Sequence, residues 1–259
     1  MAIILSPSYR NAYDRAGTQK PICTDPKGKY SGRFIGITLN FPKFDSNGKK
    51  VKGDFKIFLA SVYNPYEEEL YQDFNTVLTS LLNQAPSPAV CILGQDINAN
   101  VGIRNDSSNW GATLGPHGLD NRNEKGKWAL QWLASQEMKI CNSFFEHKSY
   151  TTHVSHLPPN LPQMLDIFTV SKECFPKVRN CRVFEGIPSD HGAVALNLSL
   201  TAIKHSGESK VTNGVIDWEK IQNDSETRAK YYTRCWELNS EFEILTYSQH
   251  MKNIMRAGT

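Results

Sequence analysis

Short continuous apolar runs alternate with amphipathic stretches along the first 200 residues, and this alternation restricts the fold more than any other feature. Residues 57–63 (IFLASVY) and 89–93 (AVCIL) have the length and composition of strands that are buried on both faces. Between them, residues 67–69 are acidic and residues 70–82 carry apolar side chains at helical spacing, which predicts an amphipathic helix packed on a sheet. The chain is therefore predicted to adopt an α/β fold.

The remaining elements follow from the same patterns. The alternation at residues 34–41 predicts a strand with one face in the core. A second helix is predicted at residues 127–136, and further strands at 1–7, 138–142, 166–171, 181–185 and 194–200.

The composition changes to polar residues beyond Leu200. We therefore predict one domain at residues 1–204 and a linker with a partly helical tail at residues 205–259, where Trp218, Tyr231 and Trp236 provide apolar surface. With 39% hydrophobic residues among 259, the chain has enough apolar material for one large domain with an appendage.

Charge and cysteine content exclude little but favour an intracellular protein. The net charge of +3 is too small to indicate a polyanionic partner by itself. The six cysteines form no C-x-x-C pair, which is typical of free thiols in a reducing compartment. The first apolar run is too short for a secretion signal, and no stretch is long enough to cross a membrane. We expect a protein of the nucleus or cytoplasm that is neither secreted nor membrane-bound, and leave its oligomeric state open.

Two polar clusters lie beside apolar runs, at residues 94–98 (GQDIN) and 189–191 (SDH). They carry the groups that phosphodiester hydrolysis requires. Such a reaction needs positive charge, a positioned water and a stabilised leaving oxygen. Asp190 is predicted to bind Mg²⁺ or Mn²⁺, and Asp96 to orient or deprotonate water. Asn98, expected on the same side of an extended segment, would donate to a phosphate oxygen. His191 would contact the phosphate or share in proton transfer.

Each of these residues also has a simpler interpretation. An Asp after a buried strand is often a cap or turn residue, and Tyr63 could be a core aromatic. Taken together the clusters favour a site, because open α/β sheets carry their sites at strand ends. Other histidines and tryptophans are expected to have no functional role, since they lack metal-ligand spacing or fit core packing; these are His117, His147, His153, His156, Trp110, Trp128 and Trp132.

Five segments carry a family resemblance, namely residues 61–65 (SVYNP), 93–99 (LGQDINA), 115–118 (GPHG), 165–168 (LDIF) and 189–191 (SDH). Because of the order and spacing of these segments, residues 1–200 resemble the endonuclease/exonuclease/phosphatase superfamily, specifically the apurinic-endonuclease-type domain of non-LTR retrotransposon polyproteins. Further segments resemble the retroelement branch and the region that follows its nuclease domain; these are residues 142–145, 148–151 and 216–220.

The resemblance implies a two-sheet β-sandwich flanked by helices, and an Mg²⁺- or Mn²⁺-dependent endonuclease that nicks DNA. It also implies that Asp166 orients His191 and that the Tyr63 hydroxyl contacts the phosphate. The candidate catalytic residues are then Tyr63, Asp96, Asn98, Asp166 and His191; the candidate metal ligands are Asp190, Asp96 and Asn98; and the candidate phosphate contacts are Tyr63, Asn98 and His191.

The sequence also departs from the family. An Asn of the first strand and a Gln-Glu pair, whose Glu is the principal metal ligand, have no counterpart here. The domain is therefore expected to be incomplete at its N-terminus. Gln95 stands where the family commonly has a small residue, which is expected to change how the loop approaches the phosphate. Thr152 stands where the family often has a Trp, which is expected to change the wall that a nucleotide contacts.

Three functions remain open at this point. The first is a DNA-nicking endonuclease of retrotransposon origin. The second is a lipid-directed member of the same superfamily, either a phosphatase of inositol lipids or a sphingomyelin phosphodiesterase. The segments that resemble retroelements favour nucleic acid over these lipid substrates. The third is a catalytically impaired, non-enzymatic retroelement remnant, which the lost Glu favours.

Overall fold

The computed structural model describes residues 1–44, 49–87, 89–104, 110–154, 161–184, 189–199 and 244–245. Its helices are α1 (Pro7–Arg15), α2 (Glu68–Leu82) and α3 (Glu124–Ser135). Its strands are β1 (Ile22–Cys23), β2 (Phe34–Phe44), β3 (Lys50–Tyr63), β4 (Val90–Asp96), β5 (Met138–Ile140), β6 (His153–Val154), β7 (Pro162–Gln163), β8 (Asp166–Ser171), β9 (Val178–Phe184), β10 (Ala193–Leu198) and β11 (Ile244–Leu245). Short 3₁₀ helices lie at Cys141–Phe144 and Phe175–Lys177.

Most of the described strands join one six-stranded sheet in the order β1-β2-β3-β4-β8-β5. Strands β3 and β4 are parallel and are connected through α2, whereas the other neighbours in this sheet are antiparallel. A smaller sheet has the order β11-β10-β9, and β6 and β7 form a separate hairpin.

The six-stranded sheet is covered on both faces. Alternate side chains such as Phe58, Leu93 and Ile167 share one apolar cluster with residues of α2 and α3. The opposite set, including Leu59 and Phe168, packs against the smaller sheet through residues such as Val194 and Leu196. This arrangement follows from the period of two in each strand, and it confirms the predicted α/β fold with two packed sheets and flanking helices.

Most predicted elements are confirmed, but the one at the N-terminus is wrong. Residues 1–6 form no regular structure, and a helix begins at Pro7, whose fixed φ suits the first turn of a helix. The apolar residues Ile3 and Leu5 still pack on the core between the two sheets, which explains the strand-like pattern.

Helix α3 begins three residues before its predicted start because Asn123 caps it. The Asn123 side chain accepts hydrogen bonds from the backbone N–H groups of Gly126, at 2.8 Å, and of Asn100, at 3.1 Å. A Cβ on Gly126 would lie 1.8 Å from the Asn100 carbonyl oxygen, so the close approach requires glycine. This contact fixes the loop that follows β4.

The predicted helical tail lies outside the described residues, apart from β11, which pairs with β10. The expected packing roles of the tryptophans are confirmed: Trp132 is buried, and Trp110 and Trp128 pack on the cluster beneath α2 and α3. In the described parts of the chain, no helix is both long and apolar enough to cross a membrane.

Candidate active site

Strand register brings three of the candidate residues together. Tyr63 ends β3 and pairs with Asp96, which ends β4, and Asp96 in turn lies opposite Asp166, the first residue of β8. Paired residues on neighbouring strands point to the same face of a sheet. Since Phe168, two residues beyond Asp166, belongs to the core between the sheets, all three side chains lie on the face toward the smaller sheet.

His191 reaches this group from the smaller sheet. It lies two residues before β10, and its Nδ1 is 2.7 Å from Oδ2 of Asp166. The two side chains are only 17% and 13% exposed, so water screens the pair poorly. Because the carboxylate accepts the Nδ1 proton, Nε2 of His191 is the ring nitrogen left for a ligand. The orientation of His191 by Asp166, which the resemblance implied, matches this geometry.

The turn before His191 is fixed by its own hydrogen bonds. The Ser189 hydroxyl oxygen accepts from the backbone N–H of His191 at 3.0 Å, and the same hydroxyl donates to the Asp190 carboxylate at 3.4 Å. Asp190 therefore lies next to His191 with a defined orientation.

Asn98 lies near Asp96 but not in the predicted way. Its φ of +44° is in the left-handed region, so the segment after Asp96 turns and is not extended. The Asn98 backbone N–H donates to Asp96 Oδ1 at 3.0 Å, and its side-chain amide donates to the Asn64 carbonyl oxygen at 2.8 Å. Asn98 thus holds Asp96 in place and ties two strand ends together.

The electrostatics favour proton transfer at this site. Burial and the negative charge of Asp166 raise the pKa of Asp96 to about 7, against the lowering effects of the Asn98 N–H, His191 and Lys125. Burial lowers the pKa of His191, but its hydrogen bond to the Asp166 carboxylate and the negative charges of Asp166, Asp96 and Asp190 outweigh this effect, so the pKa is raised overall. The site therefore holds a carboxylate that exchanges its proton near neutrality beside an imidazole whose protonated form is favoured.

Thr152 positions the site from within the core and does not form a groove wall, contrary to expectation. It is 1% exposed, and its hydroxyl oxygen accepts from the backbone N–H groups of Leu165, at 2.8 Å, and Asp166, at 2.9 Å. Its carbonyl oxygen accepts from the N–H of Gly192 at 2.7 Å. One buried residue therefore connects the segments that carry Asp166 and His191.

Gln95 also differs from its expected role. It is 3% exposed and donates to the Thr169 hydroxyl at 2.6 Å. Because it alternates with Asp96 along β4, its side chain points to the opposite face of the sheet. Gln95 therefore does not alter the approach to a phosphate.

His153 lies at the site, although no motif in the sequence indicates a role for it. It forms an antiparallel bridge with His191, and the two ring centroids are 4.7 Å apart. By contrast, His117 and His147 lie against Tyr150, in agreement with a packing role, and His156 lies outside the described residues. Only a prediction of the pairing between residues 153 and 191 could have identified His153.

Two groups of potential metal ligands occur in the described parts of the chain, and they share His191. Asp96, Asp166 and His191 form one group, and His153, Asp190 and His191 form the other. Within each group, the ligand atoms lie within 4.8 Å of one another. The predicted metal ligands Asp96 and Asp190 therefore belong to different groups, which have His191 in common.

Two cations near the site were also missed by the sequence analysis. The Arg33 guanidinium lies 5.0 Å from the centre of the Tyr63 ring and donates to the Asn64 carbonyl oxygen at 3.3 Å. Lys125 is 7% exposed and adds positive charge near Asp96. Burial lowers the pKa of Lys125, and nearby acidic groups oppose that effect.

No model of a known protein family matches the chain, and no curated protein matches it. Several solved structures are similar to it. The endonuclease domain of TRAS1, a telomere-specific non-LTR retrotransposon, shares 16% identity at a TM-score of 0.44, over 66% of this chain and 65% of that domain. The 3'-5' exonuclease NExo of Neisseria meningitidis shares 16% identity at 0.46, over 67% of each chain. An endonuclease/exonuclease/phosphatase family protein of Leptotrichia buccalis shares 18% at 0.44, over 69% of this chain and 58% of its own.

The role of Thr152 predicts a difference between two substitutions. Thr152→Val keeps the shape but leaves the N–H groups of Leu165 and Asp166 without their acceptor, and should lower the free energy of unfolding by about 1–3 kcal/mol. Thr152→Ser keeps the oxygen and should cost less. Urea denaturation followed by circular dichroism measures both, and equal losses would show that the hydroxyl is not the important group.

The raised pKa of Asp96 predicts that its charge destabilises the fold. Asp96→Asn keeps an acceptor for the Asn98 N–H and removes the partly buried charge, so at pH 8 it should raise the free energy of unfolding by about 0.5–2 kcal/mol. The destabilisation grows as the pH rises from the unfolded pKa, about 3.9, to the folded pKa of about 7. The advantage of the variant should therefore shrink at pH 5. Denaturation in a metal chelator at both pH values tests this, and a variant less stable than wild type at pH 8 would contradict it.

Proposed function

We propose that the chain is a metal-dependent phosphodiesterase of the endonuclease/exonuclease/phosphatase type, and that it is a DNA-nicking endonuclease of retrotransposon origin. The observation that carries the proposal is the 2.7 Å contact between Asp166 and His191 beside Asp96, whose pKa is raised to about 7. A partly buried carboxylate, an oriented imidazole and a phenol at adjoining strand ends fit hydrolysis of a phosphate ester.

The donor set fits a hard divalent cation. Carboxylates flank His191 on both of its ligand groups, and Mg²⁺ and Mn²⁺ prefer oxygen ligands. We assign the ion to Asp190, with Asp96 and Asn98 as further candidate ligands. When bound, the ion supplies positive charge that reduces the repulsion between the phosphate oxygens and an attacking nucleophile.

The protein residues then have separate roles in the proposed reaction. Asp96, held by the Asn98 N–H, orients a water molecule and accepts its proton. His191, oriented by Asp166, directs Nε2 toward the phosphate. The Tyr63 hydroxyl contacts a phosphate oxygen, and the second N–H of the Asn98 amide donates to another, since the first is bound to Asn64.

An exposed aromatic residue beside the site favours nucleic acid over a lipid substrate. Tyr66 follows Tyr63 by three residues and is 73% exposed. The Lys125 ammonium lies 4.4 Å from the centre of its ring and donates to its carbonyl oxygen at 2.7 Å. Tyr66 is therefore held with an open ring face, which suits stacking on a base.

A second candidate function is a catalytically impaired retroelement remnant. The observation that favours it is that the strand-end Gln-Glu pair of the family has no counterpart here, since Gln136-Glu137, the one such dipeptide in the sequence, follows helix α3. With fewer carboxylate ligands, Asp190 would bind Mg²⁺ more weakly. Metal-dependent nicking decides between the two candidates.

We further propose that residues 1–204 form the phosphodiesterase domain and residues 205–259 a linker and tail. Free cysteines at positions 23, 91, 141, 174 and 181 support action in a reducing compartment, the nucleus or cytoplasm.

The proposal predicts Mg²⁺-dependent conversion of supercoiled plasmid to nicked circles. His191→Ala and Asp96→Asn should reduce the rate by about 10²–10⁴-fold, because each removes a proton-transfer group. His117→Ala, a histidine outside the site, serves as the matched control and should nick at the wild-type rate. If folded wild-type protein shows no metal-dependent nicking, the remnant function is the correct one.

The role of Tyr66 predicts that Tyr66→Ala weakens binding of a labelled oligonucleotide by about tenfold, given ~1–3 kcal/mol per stacked base. Tyr66→Phe keeps the ring face and should bind like wild type. Fluorescence anisotropy in Ca²⁺, which limits turnover, measures both affinities. Wild-type affinity of Tyr66→Ala would exclude stacking at this position.

A further inference from the structure

The backbone holds two histidines and an aspartate together at the edge of the small hairpin. His153 bridges His191, the Val154 N–H donates to the Asp190 carbonyl oxygen at 3.2 Å, and the Gly192 N–H donates to the Thr152 carbonyl oxygen at 2.7 Å. These contacts hold the hairpin strand β6 against residues 189–192. The side-chain ligand atoms of His153, Asp190 and His191 consequently lie within 4.8 Å of one another.

Hydrogen bonds orient both imidazoles in the same way. Nδ1 of His153 lies 3.0 Å from Oε1 of Gln163, an amide oxygen that can only accept, so Nδ1 carries the proton. Nδ1 of His191 is likewise engaged, by Asp166. In both rings Nε2 is then the nitrogen with a lone pair. An acceptor behind each ligating histidine is the usual arrangement at metal sites in proteins.

We propose that His153, Asp190 and His191 form a binding site for a transition-metal ion of the Zn²⁺ type, distinct in chemistry from the Mg²⁺ function assigned to Asp190. Two imidazole nitrogens and one carboxylate suit Zn²⁺, whereas Mg²⁺ selects oxygen ligands. Three protein ligands leave a fourth, open position on a tetrahedral ion.

The site has a consequence for the proposed nuclease, and this part of the inference rests on the proposed function. Zn²⁺ on these ligands would occupy Nε2 of His191 and the carboxylate of Asp190, which the reaction needs for phosphate and for Mg²⁺. The ion is therefore an inhibitor that competes for two groups of the active site.

Co²⁺ absorption tests the metal site without DNA or catalysis, because Co²⁺ in tetrahedral protein sites absorbs visible light much more strongly than aqueous Co²⁺. We expect one Co²⁺ per full-length chain, displaced by Zn²⁺ but not by excess Mg²⁺. His153→Ala should bind Co²⁺ at least tenfold more weakly, and His117→Ala should bind it like wild type. Absence of the absorption in wild type, or wild-type affinity of His153→Ala, would overturn the proposal.

Gln163 provides a control that leaves all three ligands in place. Gln163→Leu removes the acceptor for His153 Nδ1 and should weaken Co²⁺ binding by about 10–100-fold, while Gln163→Glu keeps an acceptor and should retain it. Circular dichroism verifies folding, and His153→Gln replaces His153→Ala if the latter does not fold. Equal binding by Gln163→Leu and wild type would contradict the orientation of His153.

A nicking assay separates this inference from the proposed function. If the nuclease is active, the Zn²⁺ concentration for half-inhibition in Mg²⁺ should rise at least tenfold in His153→Ala. If no nicking occurs but Co²⁺ binds as described, the metal site stands and the nuclease function fails. If Mg²⁺-dependent nicking occurs without Co²⁺ binding, the nuclease function stands and the metal site fails.

Discussion

The hydrogen bond between Asp166 and His191 is the interaction on which the candidate site depends, because it joins a residue of the six-stranded sheet to a residue that leads into the smaller sheet. Asp166 begins a strand of the six-stranded sheet, whereas His191 leads into the smaller one. Buried polar residues support the contact: Asn142 donates to the Asp166 carbonyl oxygen at 3.2 Å and accepts from the Phe168 N–H at 2.9 Å. Thr152 accepts from Asp166 and holds Gly192. The geometry of one 2.7 Å contact is thus set by the packing of the whole sandwich.

The strand register that brings the site residues together also places two carboxylates opposite each other, which is electrostatically unfavourable. Asp96 and Asp166 lie directly opposite each other on β4 and β8, where like charges are unfavourable. His191 and the Asn98 N–H offset part of this cost, but the pKa of Asp96 remains raised. A hydrophobic or amide pair at these positions would make a more stable sheet. The presence of two facing carboxylates in spite of this cost favours a functional site over a strand end that only caps a sheet.

The sequence predicts the layered architecture well because strand and helix patterns are local. Continuous apolar runs predict β3 and β4, and the polar cluster after the second run predicts Asp96, whereas the role of Tyr63 comes from the family resemblance. The sequence does not predict the features of the site that depend on pairing between distant segments. His153 faces His191 only because the hairpin strand β6 meets the segment before β10. Thr152 is buried for the same reason. The spacing of Asp96 and Asn98 predicts an extended backbone, which the left-handed φ of Asn98 contradicts, since residue spacing does not show where a strand stops.

His191 belongs to both groups of potential metal ligands, so the other residues of each group decide which ion that group favours. Toward Asp96 and Asp166 it is one nitrogen among carboxylates, a set in which oxygen predominates. Toward His153 it becomes one of two imidazoles, a set that favours a softer ion. The acceptors behind the rings, Asp166 and Gln163, are on β8 and β7 and do not move independently of the sheet and the hairpin. Because Nε2 of His191 can ligate only one partner at a time, occupation of the second group by Zn²⁺ and contact of His191 with a phosphate are mutually exclusive.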